Sequence, residues 1–133
     1  MVTLYVASTA ADGAFYIYLE DVDENGRVTY VTEGQLRALH RRLTDRRPPL
    51  ALFVPHHSFL RDDGMPLVPG EVAELRFGLL PTSCRVRRGH RLRVAIAGHD
   101  KDTFARIPGG VPTVAVQRNR RYPSQIELPI IRT

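Results

Sequence analysis

A β-sandwich is the architecture this sequence predicts, and three observations predict it. Apolar and polar residues alternate with period two in segment after segment. Clusters of Gly, Asn, Asp and Pro interrupt the alternation at the short intervals expected of an all-β fold. The chain of 133 residues fits a single domain with one core, spanning 1–133. About seven to nine short strands with apolar faces and no helices between them bury those faces by packing as two sheets, as in a jelly roll or a related sandwich.

The elements follow in order. Thr3 to Ser8 is a first strand, and Ala-Asp-Gly at 11–13 turns the chain. Phe15 to Val22 comes next, with Phe15, Ile17 and Leu19 on one face and Tyr16, Tyr18 and Glu20 on the other. Asp23-Glu24-Asn25-Gly26 is a strong turn, because Asn-Gly readily takes the positive φ that a tight hairpin requires, so Val28 to Thr32 pairs back on the preceding strand. Farther on, Ala73, Leu75, Phe77 and Leu79 alternate with Glu74, Arg76 and Gly78, and Leu92, Val94 and Ile96 alternate with Arg91, Arg93 and Ala95. Each set offers one face to a core. Val114 with Val116, and Ile126 with Leu128 and Ile130, supply the last strands.

Two segments depart from the alternation. Thr32-Glu33-Gly34-Gln35 has the form of a capping box, and Leu36, Leu39 and Leu43 follow at helical spacing, so local propensity favours a short helix stopped by Arg41-Arg42 and the Pro48-Pro49 pair. From Pro55 to Gly70 there are prolines at 55, 66 and 69 and no period, which predicts a long irregular connection.

Composition narrows the function. The longest apolar runs, such as that from Leu50 to Pro55, fall far short of the roughly 20 residues that cross a bilayer. The N-terminus lacks the basic lead of a signal peptide, and a single cysteine, Cys84, allows no internal disulfide, so a cytoplasmic setting is favoured and no membrane partner is expected. Nineteen Lys+Arg against 14 Asp+Glu leave a charge of +5, but the cations are dispersed, with Arg41, Arg42, Arg46, Arg47 and Arg118, Arg120, Arg121 beside turn residues. No helix-turn-helix, RNP-type or finger spacing accompanies them, so a solvated surface rather than nucleic acid accounts for the charge.

The chemistry-bearing residues are sparse. None of Ser8, Ser58, Ser83 and Ser124 stands in the Gly-x-Ser-x-Gly turn that a serine hydrolase nucleophile occupies. Cys84 reads as a small core residue at the start of a strand. His56 and His57 are adjacent, and in extended backbone they point apart, so one is expected to pack or hydrogen-bond while the other meets water. Asp62-Asp63 beside them, and His99, Asp100 and Asp102, fall short of a zinc or calcium ligand set. No catalytic residue, cofactor or metal is therefore assigned.

Several strings, in order along the chain, carry a resemblance. They are Leu4-Tyr5-Val6-Ala7-Ser8; Phe15 through Asp23 with Gly26-Arg27; Glu33-Gly34-Gln35-Leu36-Arg37-Ala38 with His40-Arg41; Leu67-Val68-Pro69-Gly70-Glu71; Leu79-Leu80-Pro81-Thr82-Ser83; and Gly89-His90-Arg91-Leu92-Arg93. Together they resemble the C-terminal non-catalytic domain of the X-Pro dipeptidyl-peptidase family, which includes the cocaine esterase type of serine hydrolase. The resemblance implies a jelly-roll sandwich similar to galactose-binding modules. It implies an α/β-hydrolase domain as partner, in cis in a longer chain or in trans, with the nucleophile elbow and triad in that domain. It also implies that Glu33 to Arg41 is extended, against the capping-box reading, and tertiary pairing is expected to prevail. His90 in the Gly-His-Arg turn is expected to make a structural hydrogen bond. Met1 opens almost directly into a strand, which predicts a module separated from a longer polypeptide.

The expected function is thus a non-catalytic accessory sandwich of a serine peptidase or esterase, contributing to assembly and active-site access. The alternative is a carbohydrate-binding jelly roll, against which stands the absence of tryptophan. A domain that packs on a neighbour keeps apolar and arginine-bearing surface for it. The candidate contacts are His56, His57, Phe59, Leu60 and Arg61 in the long connection, and Phe104 and Arg106 in the loop after the Gly-His-Arg strand. A hydrolase domain or a second copy of the chain would meet them. The competing reading folds Phe59 and Phe104 inward as loop anchors.

Overall fold

A computed structural model describes residues 1–45 and 53–131. Arg46, Arg47 and the Pro48-Pro49 helix stop lie outside the described residues. Among those described, seven strands form two antiparallel sheets. They are β1 (Val2–Ser8), β2 (Ala14–Val22), β3 (Val28–Arg37), β4 (Val72–Phe77), β5 (Arg91–Ala97), β6 (Val114–Gln117) and β7 (Gln125–Ile126).

In the first sheet β1 is central. β4 covers one of its edges from Val2 to Ala7, so β6 and β7 share the other, β6 opposite Tyr5 to Ser8 and β7 opposite Val2 and Thr3. In the second sheet β2 lies between β3 and β5. The β2–β3 hairpin forms where the sequence predicts it, with Val22 opposite Val28. Gly26 sits at φ 81°, its N–H donates to the Asp23 carbonyl, and Asp23 Oδ1 accepts from the amides of Asn25 and Arg27. The extended reading beyond Thr32 holds as far as Arg37, after which Ala38–His40 makes one 3₁₀ turn. The capping-box helix does not form, because residues 33–37 pair with β2 from Ala14 to Tyr18.

The core lies between the sheets. Val2, Leu4 and Val6 of β1 and Leu75 and Phe77 of β4 face Phe15 and Ile17 of β2, with Leu36, Ala38 and Leu67 closing over them. The side where β3 nears β4 is sealed by backbone: the Leu80 amide donates to the Glu33 carbonyl at 2.7 Å, and Thr32 Oγ1 donates to the Leu80 carbonyl at 2.8 Å. A methyl group on Gly34 would collide with the Gly78 carbonyl oxygen and come within 3.1 Å of Leu79 Cα, so only glycine permits this approach.

The other side differs from the sequence reading. Ile17, Leu19 and Asp21 of β2 stand opposite Ile96, Val94 and Leu92 of β5, and Val6 and Ser8 of β1 stand opposite Val116 and Val114 of β6. Opposed residues share a face, so these five aliphatics point the way the core residues do. They are not covered. Ile17 is fully buried while Ile96 is 44% exposed, and Val6 is fully buried while Val116 is 38% exposed. Ile130, read as a strand residue, lies outside β7 and is exposed. Cys84 is exposed and outside every strand, which corrects its reading as a core residue: residues 81–89 run along the surface and pair with no strand.

Candidate partner interface

The long connection is irregular, as its prolines predict, yet it is fastened at several points. Leu67 N–H donates to the Ala11 carbonyl, Met65 N–H to that of Leu39, and Gly70 N–H to that of Ser8. Arg41 adds side-chain bonds to the carbonyls of Ala38, Met65 and Pro66, and burial pulls its guanidinium below the usual arginine range. His57 is buried between two carbonyls, with Nδ1 3.1 Å from Arg42 O and Nε2 2.8 Å from Arg76 O. Each ring nitrogen is thus within hydrogen-bond reach of a backbone carbonyl. His57 is thereby a structural staple between the connection and β4. His56 beside it is half-buried.

What the staple positions is Phe59. Its backbone adopts φ 55°, in the left-handed region where a bulky L-residue is an outlier, and its ring is 62% exposed. The ring lies 5.3 Å from that of His40 and 5.9 Å from that of His57. Ser58 holds the bend, since its Oγ donates to Asp63 Oδ2 at 2.6 Å and accepts from the Leu60 amide. Leu60 and Arg61 follow, both exposed, the latter opening a 3₁₀ turn over Arg61–Asp63. An aromatic ring held outward by unfavourable backbone has the character of a binding knob.

The second predicted loop has a different support. Tyr16 and Tyr18 lie on the face of β2 away from the core, and residues 98–107 fold over them. Phe104 packs on Tyr16 with ring centroids 5.2 Å apart. Tyr18 Oη donates to Asp100 Oδ2 at 2.7 Å, while Asp100 Oδ1 accepts from the amides of Asp102 and Thr103. Burial, then the Asp100 bond and charge, push the Tyr18 phenol well above its ordinary value; the phenol's hydrogen bond in turn holds Asp100 below the usual carboxylate range. Phe104 is therefore a loop anchor with one edge exposed, and Arg106 stands exposed beyond it. Between this loop, β2 and β3 is a cavity of about 310 Å³, lined by Tyr16, Gln35, Arg37 and Phe104 among others.

Three of the four serines are engaged in holding backbone. Ser8 Oγ accepts from Ala10 N–H, Ser124 Oγ accepts from Tyr5 N–H, and Ser58 turns to Asp63 rather than to its neighbour His57. His90 Nδ1 lies 2.8 Å from Asp21 Oδ2, tying the start of β5 to β2. Among the described residues, no three His, Cys, Asp or Glu side chains converge on a common point. Among the described residues, Ser58 bonds to Asp63 and not to a histidine, and Phe59, Leu60 and Arg61 of its loop are exposed. The structure thus brings His56, His57, Phe59, Leu60 and Arg61 into one loop and sets Phe104 and Arg106 on another support. Sequence reasoning missed the half-covered aliphatics of β5 and β6, because their alternation is that of core strands.

Comparison with known proteins gives this surface a setting. Residues 1–127 match the family model described as the X-Pro dipeptidyl-peptidase C-terminal non-catalytic domain. The chain belongs to that family. As a member of this non-catalytic domain family it is 56% identical, over 131 residues, to two relatives from Mycobacterium bovis and Mycobacterium tuberculosis that carry the name "Putative serine esterase". The match covers 98% of this chain and 21% of each relative, so the domain spans about a fifth of the curated relatives' length. A solved structure, a CocE/NonD family hydrolase from Staphylococcus aureus, superposes with a TM-score of 0.65 at 22% identity, over 81% of this chain and 21% of that one. That likeness establishes the shared fold.

Proposed function

We propose that this chain, residues 1–133 as a single unit, is the accessory sandwich of a serine hydrolase, supporting the assembly of an α/β-hydrolase domain and bordering access to its active site. The observation that carries the reading is membership of a non-catalytic domain family at a fifth of the length of relatives named as serine esterases. Those names favour esters over X-Pro peptides as the substrate of the complete enzyme. Phe59, Leu60 and Arg61, held out by the His57 staple, together with Arg106, are the contacts on this side; His56 supports them, and Phe104 fixes the loop that carries Arg106.

The test uses the 133-residue chain with and without the part of the Mycobacterium tuberculosis relative that lies outside the matched region. The chain alone is expected to turn over neither p-nitrophenyl esters nor X-Pro dipeptide substrates. Mixing should raise esterase activity of the added part or its thermal stability. Turnover by the chain alone that is abolished by Ser58→Ala or Cys84→Ala would overturn the reading. Millimolar or tighter sugar binding lost on tyrosine substitution would replace it with a carbohydrate-binding role.

A further inference from the structure

The sandwich is sealed where β3 nears β4 and open where β5 and β6 form the opposite margins of the two sheets. Leu92, Val94 and Ile96 on β5, with Val114 and Val116 on β6, form two aliphatic rows whose register places them on the core face, and all five are 38–44% exposed. Three further observations converge there. Among the described residues β5 pairs with β2 alone, so its other edge presents unpaired backbone N–H and C=O groups. Asp21, opposite Leu92, has one carboxylate oxygen bonded to His90 and the other, Oδ1, buried with no partner among the described residues. Four arginines (Arg85, Arg87, Arg88 and Arg91) lie exposed along the approach to β5 and at its start, while Arg93 is already paired with Glu20.

From this geometry we infer that the opening between β5 and β6 receives an extended, apolar segment of the larger hydrolase polypeptide. The segment adds as a strand to the free edge of β5, places alternating aliphatics over the two rows, offers a hydrogen-bond donor to Asp21 Oδ1 and carries carboxylates toward the arginines. A strand supplies what this margin lacks in one stroke: backbone partners for the edge and side chains at period two for the rows. A second copy of the chain fits less well, since it brings a net charge of +5 and the same arginines against their equals. The relatives supply the length, because four fifths of each lies outside the region this chain matches.

The inference rests on the accessory reading and is tested so that the two separate. The chain is mixed with the remainder of the Mycobacterium tuberculosis relative; affinity is measured by calorimetry and backbone protection by hydrogen exchange. The expected result is protection of amides within Arg91–Ala97 on mixing, and binding at least tenfold weaker for Val94→Glu and Val116→Glu. Both substitutions should lower the melting temperature of the isolated chain by only a few degrees, because these side chains already meet water in part. If a complex forms while β5 stays unprotected and both variants bind normally, the strand-addition inference fails and the accessory reading stands. If no complex forms, both fail. If sedimentation shows that the chain dimerises and Val94→Glu abolishes the dimer, the occupant is a second copy and the inference is overturned.

Discussion

The two sides of this sandwich are built from strands of the same kind. β4 and β5 both alternate aliphatic with charged or small residues, and each pairs with the central strand of its sheet. Yet Leu75 of β4 is fully buried and Ile96 of β5 is 44% exposed. Every buried residue among those described lies at or before Phe77. The difference comes from what lies across from each strand. Residues beyond β4 cross to β3 and are bonded to it, while among the described residues no such bond joins β5 to β6. Alternation decides which way a side chain points; a second layer decides whether it leaves water.

The comparison breaks most sharply at Ile17 and Ile96, which are neighbours across the β2–β5 ladder. Ile17→Ala should cost about 2–5 kcal/mol, the range for truncating a fully buried aliphatic with a cavity left behind. Ile96→Ala should cost about 1 kcal/mol, because much of its surface is already hydrated and no closed cavity forms. Urea denaturation of both variants reads the gap directly. Equal losses would mean that the β5 side is as well covered as the core.

Gly34 tests the sealed side itself. Gly34→Ala places a methyl group against Gly78 backbone, which cannot move aside without lifting residues 78–80 from β3, and overpacking of this kind costs about 1–3 kcal/mol. Calorimetry should show a lower melting temperature, and the Leu80 amide should exchange faster, since its bond to Glu33 is the one displaced. Gly110→Ala, with open space around it, is the control and should be neutral.

Much of this was legible in the sequence. The first two strands, the Asp23–Gly26 turn and the strands at 73–77 and 91–97 follow from local pattern, because period two and turn chemistry are properties of a few adjacent residues. The end of β3 was legible only through the family resemblance, since the local pattern of Thr32 to Gln35 prefers a helix start and is overruled by pairing with β2. The exposure of β5 and β6 was not legible, since it depends on the packing of strands far apart in the chain. The candidate contact loops were legible in composition but not in conformation. Phe59 and Phe104 look alike as loop aromatics; one stands out at positive φ and the other lies on Tyr16.

That pair gives a smaller effect of opposite sign. Phe104→Ser should destabilise by about 1 kcal/mol, the scale of a lost aromatic pair with partial burial. Phe59→Gly should leave stability unchanged or raise it slightly, since glycine takes the left-handed conformation without the cost of about 1–2 kcal/mol that an L-residue bears there. Thermal melts of the two variants settle which loop is a support and which is a knob. A marked loss of stability in Phe59→Gly would make the ring an anchor after all.

The smallest expected effect lies in the pH dependence of the loop that follows β5. Burial and then the bond to Asp100 raise the pKa of the Tyr18 phenol, and the same bond lowers that of the Asp100 carboxyl. A lowered carboxyl contributes stability that is present above the unfolded value of about 3.9 and is lost as pH falls through the folded one. A raised phenol contributes stability that is present below its unfolded value of about 10 and is lost as pH rises through the folded one. Wild type should therefore show a larger acid loss below about pH 4 than Tyr18→Phe, whose Asp100 keeps its bonds from Asp102 and Thr103, and an alkaline loss above about pH 10 that the variant lacks. Between them the variant should be the less stable, by a margin that is modest because Asp100 is close to solvent. Melting temperatures from pH 3 to 11 measure it. A difference that is flat across the whole range would show that Tyr18 acts through packing on the loop, and that its hydroxyl adds nothing to holding residues 98–107 on the sheet.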